Sequence, residues 1–405
     1  MTSNYAAMRR DQLAVLVPEL LLTGHLIDRS GMAWALSAFG QEQMAQIAIE
    51  EWAGASPIYT RRMQRALQFV GDDVATIFKG MQLEIGAPPQ FMDFRYWVSD
   101  SHHGGFHLDH CGALLDVEPM GDVHVKAMCH DIEDPTFDAT AVATNPHAVM
   151  RPVHRPPRTP SDRQPHCEWT VTIDEANPPA APIPALAVVQ ATRAANLELS
   201  SIDPSEEGAG DYSGALVSDI DFGAFSHSAL VRIADEVCVQ MHLLVLSFQL
   251  AVRDRAADRA QADEIVTKQL TGIAGIMSER ISRALDLEDP LEVLRLHPLL
   301  NPAAYVDASF GDQTFSVRPS PAHEDEAWIT YVDPTSPRPL QAAVQGVSPH
   351  LDVEVSGTAD DWTAHVVRRD EPARELDEVA VTRFSKGAGF AFQPRRSLPL
   401  TVVGA

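Results

Sequence analysis

The sequence predicts an α+β protein, with helices packed on an antiparallel sheet and two similar halves arising from an internal duplication. Three observations carry this. Apolar residues recur at helical spacing over the first ninety positions, period-two runs replace them from Phe91 to Ile173, and the helix-then-sheet order returns after a Pro-rich interval.

In the first half, Ala35, Leu36, Phe39, Met44, Ile47 and Ile49 form one helical stripe, and Met63, Leu67, Val74, Ile77, Phe78 and Met81 another. Pro57, following Gly54-Ala55-Ser56, marks the start of a second helix. Strands are expected at 91–98, 106–117, 123–129 and 167–173. Residues 174–212, with Pro178-Pro179, Pro182, Pro184 and a polar Asp203–Gly208 stretch, read as a linker or a long surface excursion. Beyond it a helical region runs from Ala229 to Leu285, with strand-like runs near Phe315, Ile329, 351–355, 362–367 and 390–392. The expected organisation is a first domain at 1–175, a linker at 176–212 and a degenerate copy at 213–405. Two echoes set the expected repeat register. Leu115–Glu118, Gly121 and Glu133–Pro135 align with Leu351–Glu354, Gly357 and Asp370–Pro372, and Val70–Asp73 with Leu287–Pro290. In that register Cys111, Cys129, His130 and Asp131 face Val347, Val366, Val367 and Arg368, so the second copy has lost the first copy's chemistry. A degenerate half can also stand in for the partner subunit of a homodimer.

Composition narrows the partners. The 405 residues carry 56 Asp and Glu against 31 Lys and Arg, a net charge of −25, which argues against nucleic acid and anionic membrane surfaces. Arg9-Arg10 ahead of Leu13–Leu22 resembles a signal peptide, but Pro18 and Glu19 interrupt the apolar run, and the segment reads as an amphipathic helix. Four cysteines in so long a chain suggest reduced thiols and a cytoplasmic location. The expected partner is a small-molecule substrate, with no nucleic acid, no membrane, and self-association left open.

The chemistry-bearing feature is a His and Cys cluster. Nine of the 16 histidines lie between positions 102 and 166, and three cysteines there each adjoin a histidine, as His110-Cys111, Cys129-His130 and His166-Cys167. Imidazole and thiolate suit zinc or iron, so His103, His107, His110, Cys111, His166 and Cys167 are the expected ligands of a divalent metal. Strand parity puts Cys111, Cys129 and Cys167 on the core face together with His107 and Asp109, and His110, His124, His130 and His166 on the other. The plain alternative is three small core hydrophobes beside histidines on a solvated face. Cys129, His130 and Asp131 are the candidate catalytic group, either around a metal-bound water or with Cys129 as a thiol nucleophile. Arg151, His154 and Arg155, in a run with Arg158 and three prolines, are candidate substrate-binding residues, since guanidinium forks recognise carboxylate or phosphate.

Cys129-His130-Asp131, then Arg151 and Thr159, then Cys167-Glu168-Trp169 resemble the pattern of the L-2-amino-thiazoline-4-carboxylic acid hydrolase-like family over residues 60–173. The resemblance implies hydrolytic opening of a small sulfur and nitrogen heterocycle, with Cys129, Asp131 and Cys167 at the matching positions. The expectation is therefore a metal-dependent enzyme that hydrolyses a non-peptide C–N bond of a small molecule. Two alternatives stay open. His107-x-Asp109 with His154 or His166 suits a non-haem iron oxygenase, and a cavity between helices and sheet suits a small-molecule-binding protein without turnover.

Overall fold

The structure, a computed structural model, describes residues 2–400. Its elements are α1 (Arg10–Ala66), α2 (Val74–Met81), β1 (Met92–Val98), β2 (His103–Cys111), α3 (Gly112–Val117), α4 (Asp122–Lys126), a π-helical turn (Ala127–Ile132), α5 (Glu133–Val142), β3 (Ala148–His154), β4 (Cys167–Ile173) and α6 (Pro184–Gln190). The second half has α7 (His227–Arg253), α8 (Arg259–Leu285), α9 (Pro290–Leu296), β5 (Asp307–Phe310), β6 (Thr314–Arg318), α10 (Pro321–Glu324), α11 (Arg338–Val347), β7 (Leu351–Gly357), β8 (Trp362–Arg368) and α12 (Asp377–Arg383). Both sheets are four-stranded and antiparallel, in the orders β1-β2-β4-β3 and β5-β6-β8-β7. The α+β class and the two similar halves are thus as expected. Among the described residues, no helix is long and apolar enough to cross a membrane.

The first helix does not divide at Pro57, which sits inside α1. It breaks at Gly40, where φ is +78° and ψ 174°, a conformation that costs glycine little. The resulting limbs, 10–39 and 41–66, correspond to α7 and α8. Counting from Arg10 and His227 pairs Glu19 with Glu236, His25 with His242, Asp28 with Val245, Arg29 with Leu246 and Ser30 with Ser247. Counting from Gln41 and Arg259 pairs Glu51 with Gln269, Gly54 with Gly272 and Arg62 with Arg280. Reciprocal contacts support this register. Ser30 packs on Gly272 and Ser247 on Gly54, where a Cβ would lie 2.6 Å and 2.1 Å from the hydroxyl oxygen. Arg62 Nε donates to Glu236 Oε2 at 2.8 Å, and Arg280 Nε donates to Glu19 Oε2 at 2.6 Å. Each half therefore lends a buried arginine to the first helix of the other, as two subunits would. The expected pairing of Leu115 with Leu351 does not hold, because Leu115 is in α3 and Leu351 in β7; likewise Cys111 ends β2 while Val347 ends α11.

Several expected strands are something else. The run 106–117 is a strand only to Cys111, whose Sγ accepts from Leu114 N at 3.4 Å and caps α3. The run 123–129 is helical. Val125, Ala127, Cys129 and Ile132 are buried and Val123 is exposed, and Val125 N donates to Gly121 O at 3.2 Å, the four-residue bond of a helix. Trp328–Tyr331 is a 3-10 turn in place of a strand around Ile329, and 390–392 is not a strand. Conversely β3 occupies 148–154, where Pro152 is tolerated because β3 is an edge strand. Residues 174–212 are mostly exposed, with Val189, Ala194, Ala195 and Tyr212 buried; α6 lies within them, and Arg62 binds the carbonyls of Ala195 and Leu197.

Candidate functional site

The residues expected to form the site are spread over several places. His103 lies at the β1–β2 turn, with Nδ1 2.9 Å from Asp100 Oδ1. His107 and Asp109 do not face the core as expected. They point outward, 3.3 Å apart, while Phe106 and Leu108 are buried. The cause is an irregularity in the β1–β2 register between Met92 and Phe94, which shifts the alternation before Cys111. The ring of His110 is 6.3 Å from that of His166, which is buried with Nδ1 unpartnered. His154 Nε2 is 3.8 Å from Glu168 Oε2. Arg151 pairs with Asp138 at 2.8 Å, and Arg155 with Asp134. Cys129, His130 and Asp131 diverge because successive residues on a helix point about 100° apart. Cys129 is buried, His130 Nε2 lies 2.7 Å from Pro156 O, and Asp131 is exposed. Among the described residues, no group of three or more His, Cys, Asp or Glu is arranged to hold a metal ion.

The structure does place Cys111, Cys129 and Cys167 in one buried neighbourhood around Glu133. Burial, then the charge of Glu133, raises all three thiols, Cys111 to about 12. That shift is the reverse of the one that activates a nucleophilic cysteine.

The polar chamber lies beside these thiols and is made by residues that the His and Cys pattern did not mark. It has a volume of about 70 Å³ and adjoins an outer hollow of about 680 Å³, the two sharing Arg29, Met128 and Ile132 in their walls. The outer hollow is mostly apolar, with Met32, Leu36, Met44 and Val117 on one side and Ala380, Val381 and Phe384 of the second half on the other. The first limb of α1 delivers His25 and Arg29 to the chamber, the second limb Trp52 and Tyr59, the turn after α2 Glu84, and α5 Glu133. Spacing of four residues puts His25 and Arg29 on one helix face.

Each polar group is defined by its surroundings. His25 Nδ1 donates to Ile85 O at 3.2 Å, so neutral imidazole leaves Nε2 as an acceptor without a partner; burial lowers its pKa to about 4. Arg29 Nε donates to Asp28 Oδ2 at 2.7 Å, and Trp52 Nε1 to Asp28 Oδ1 at 3.1 Å. Behind them, fully buried Glu51 is raised well above the carboxylate range, first by desolvation and then by Asp28. Glu84 is raised to about 7 by burial, offset by its bond from Thr60 Oγ1 at 3.3 Å. Glu133 is raised to about 8 by burial, opposed by Arg155, and its Oε2 has no partner. The Tyr59 hydroxyl also lacks one. Unpaired polar atoms inside a protein cost free energy, which makes the chamber a candidate site.

The second half lacks this set. Val245, Leu246 and Gln269 stand where the first half has Asp28, Arg29 and Glu51, and only His242 is kept, bound to Asn301 O at 2.8 Å. A hollow of about 310 Å³ beside Leu246 and Arg253 is the counterpart of the outer hollow. The second copy thus carries neutral residues at these three positions, which are not the positions that the sequence suggested. No protein-family model, curated protein or solved structure matches this chain.

Proposed function

We propose that the chain is an enzyme that moves protons on a small, largely apolar molecule bound with its body in the outer hollow and its reacting end in the chamber. The observation that carries this is the pair Glu84 and Glu133. They line one chamber from different elements, and their surroundings pull them to about 7 and about 8. Near neutral pH one is then partly ionised and the other mostly protonated, the division of labour that acid–base catalysis uses. Hydrolysis of a non-peptide C–N bond fits this division. Glu84 takes a proton from the attacking water, and Glu133 gives one to the leaving nitrogen.

The test is amine release from a panel of small amides and cyclic amidines with apolar substituents. Any turnover found is expected to fall about 100-fold or more in Glu84→Gln and in Glu133→Gln, the usual size of an acid–base contribution, with binding retained. Turnover that survives both substitutions would contradict the proposal. A second reading, a binding protein without turnover, is favoured by the apolar lining of the outer hollow. Tight binding by the wild type with no product from any bound compound would support it.

A further inference from the structure

Two of the three unpartnered polar atoms in the chamber are acceptors, and the third, the Tyr59 hydroxyl, can donate or accept. His25 Nε2 and Glu133 Oε2 are acceptors, each on a residue at least nine-tenths buried, and Glu84 has one hydrogen bond, from Thr60. Among the described residues, the only guanidinium there, Arg29, is committed to Asp28. Trp52, Tyr59, Phe94 and Phe137 supply aromatic walls. Acceptors and aromatic surfaces without a free cation match a positively charged group that carries N–H donors. We infer that the chamber receives the ammonium group of an amphiphilic primary amine, whose apolar body occupies the outer hollow. This rests on the binding site proposed above and narrows its ligand, since the leaving group of C–N hydrolysis is itself an amine. A carboxylate ligand would instead face Glu84 and Glu133.

The groups facing the ammonium are His25, Arg29, Tyr59, Glu84 and Glu133, with Asp134 and Arg155 next to Glu133. An ammonium beside Glu133 holds that carboxyl ionised, so binding near neutral pH expels a proton. The experiment is calorimetric titration of the full chain with n-octylamine, octan-1-ol and octanoate, each in two buffers of different ionisation heat. Octylamine is expected to bind at least about tenfold tighter than octanol, with octanoate weakest, and to release close to one proton. Glu133→Gln is expected to cut the release to the part that Glu84 supplies and to weaken octylamine about tenfold, more than it weakens octanol. Trp52→Leu, which leaves both carboxyls in place, is expected to weaken octylamine more than octanol. Octanol or octanoate binding as tightly as octylamine would overturn the amine assignment while leaving the hollow as a binding site. If none of the three binds, both readings fall.

Discussion

Replacing Arg280 by Met is expected to lower unfolding stability by about 3–5 kcal/mol, the usual cost of removing one partner from a buried ion pair. Arg280 is almost wholly buried, pairs with Glu19, and donates to the carbonyls of Ala388 at 2.9 Å and Phe390 at 2.7 Å. Its loss strands a buried carboxylate and frees the segment that follows α12, one wall of the outer hollow. The equivalent Arg62→Met is expected to cost less. Glu236 keeps a second partner there, because Arg232 Nε donates to it at 3.0 Å. The pair Glu19→Leu with Arg280→Met is expected to regain much of the loss, since an apolar pair leaves no charge unpaired. Urea unfolding of the wild type and the three variants measures all of this. A cost below about 1 kcal/mol for Arg280→Met would place the pair with exposed salt bridges and remove the argument that the halves clasp through these arginines.

Stability is expected to fall as pH rises from 6.5 to 8, and Glu133→Gln to reduce the slope. A carboxyl whose folded pKa is raised binds its proton more tightly when folded, so its contribution is complete below the unfolded value near 4.5 and is lost as pH rises through the folded value. For Glu133 that window runs from 4.5 to about 8. Between those limits, while the folded chain still holds the proton, each such group changes stability by about 1.4 kcal/mol per pH unit. Glu84 and Asp235, each raised to about 7, add to the slope below that pH, and Glu51, raised by burial, acts in the same sense. The buried histidines His25, His242 and His297, lowered to about 4, act in the opposite sense. Their effect is confined to pH below about 6.5, where the unfolded chain takes up protons first. Glu51→Gln, which installs the residue that the second half carries at Gln269, is expected to stabilise the alkaline side. Denaturant unfolding at half-unit pH steps reads these slopes, and equal slopes in wild type and Glu133→Gln would contradict the burial of a protonated acid.

The class, the two halves and the burial of three cysteines were legible because they depend on periodicity, which is local. The break in α1 was not, because Pro57 looks like a helix start and Gly40 does not announce a positive φ. The helix at 122–132 was hidden for a related reason. Val123, Val125, Ala127 and Cys129 alternate as a strand would, and the last three are buried, so the helix shows only in the backbone hydrogen bonding. The histidine cluster drew attention through local density, yet density does not fix direction: one irregular pairing turned His107 outward, and helical geometry dispersed Cys129, His130 and Asp131. The chamber is not legible in the sequence, because its residues are scattered from His25 to Glu133 and meet only in three dimensions. A signal was nevertheless present. Asp28, Arg29 and Glu51 interrupt strongly apolar helical stripes, and a charge on the buried face of a helix asks for a partner.

The most direct test of the chamber as the working site is crystallographic screening with small, mostly apolar fragments, including primary amines. Fragments are expected to gather in the hollow between the first limb of α1 and α12, with their polar ends against Glu84 and Glu133. Fragments that leave this hollow empty and settle on the outer face around His107, His154 and Glu168, or beside Leu246 and Arg253, would contradict the assignment.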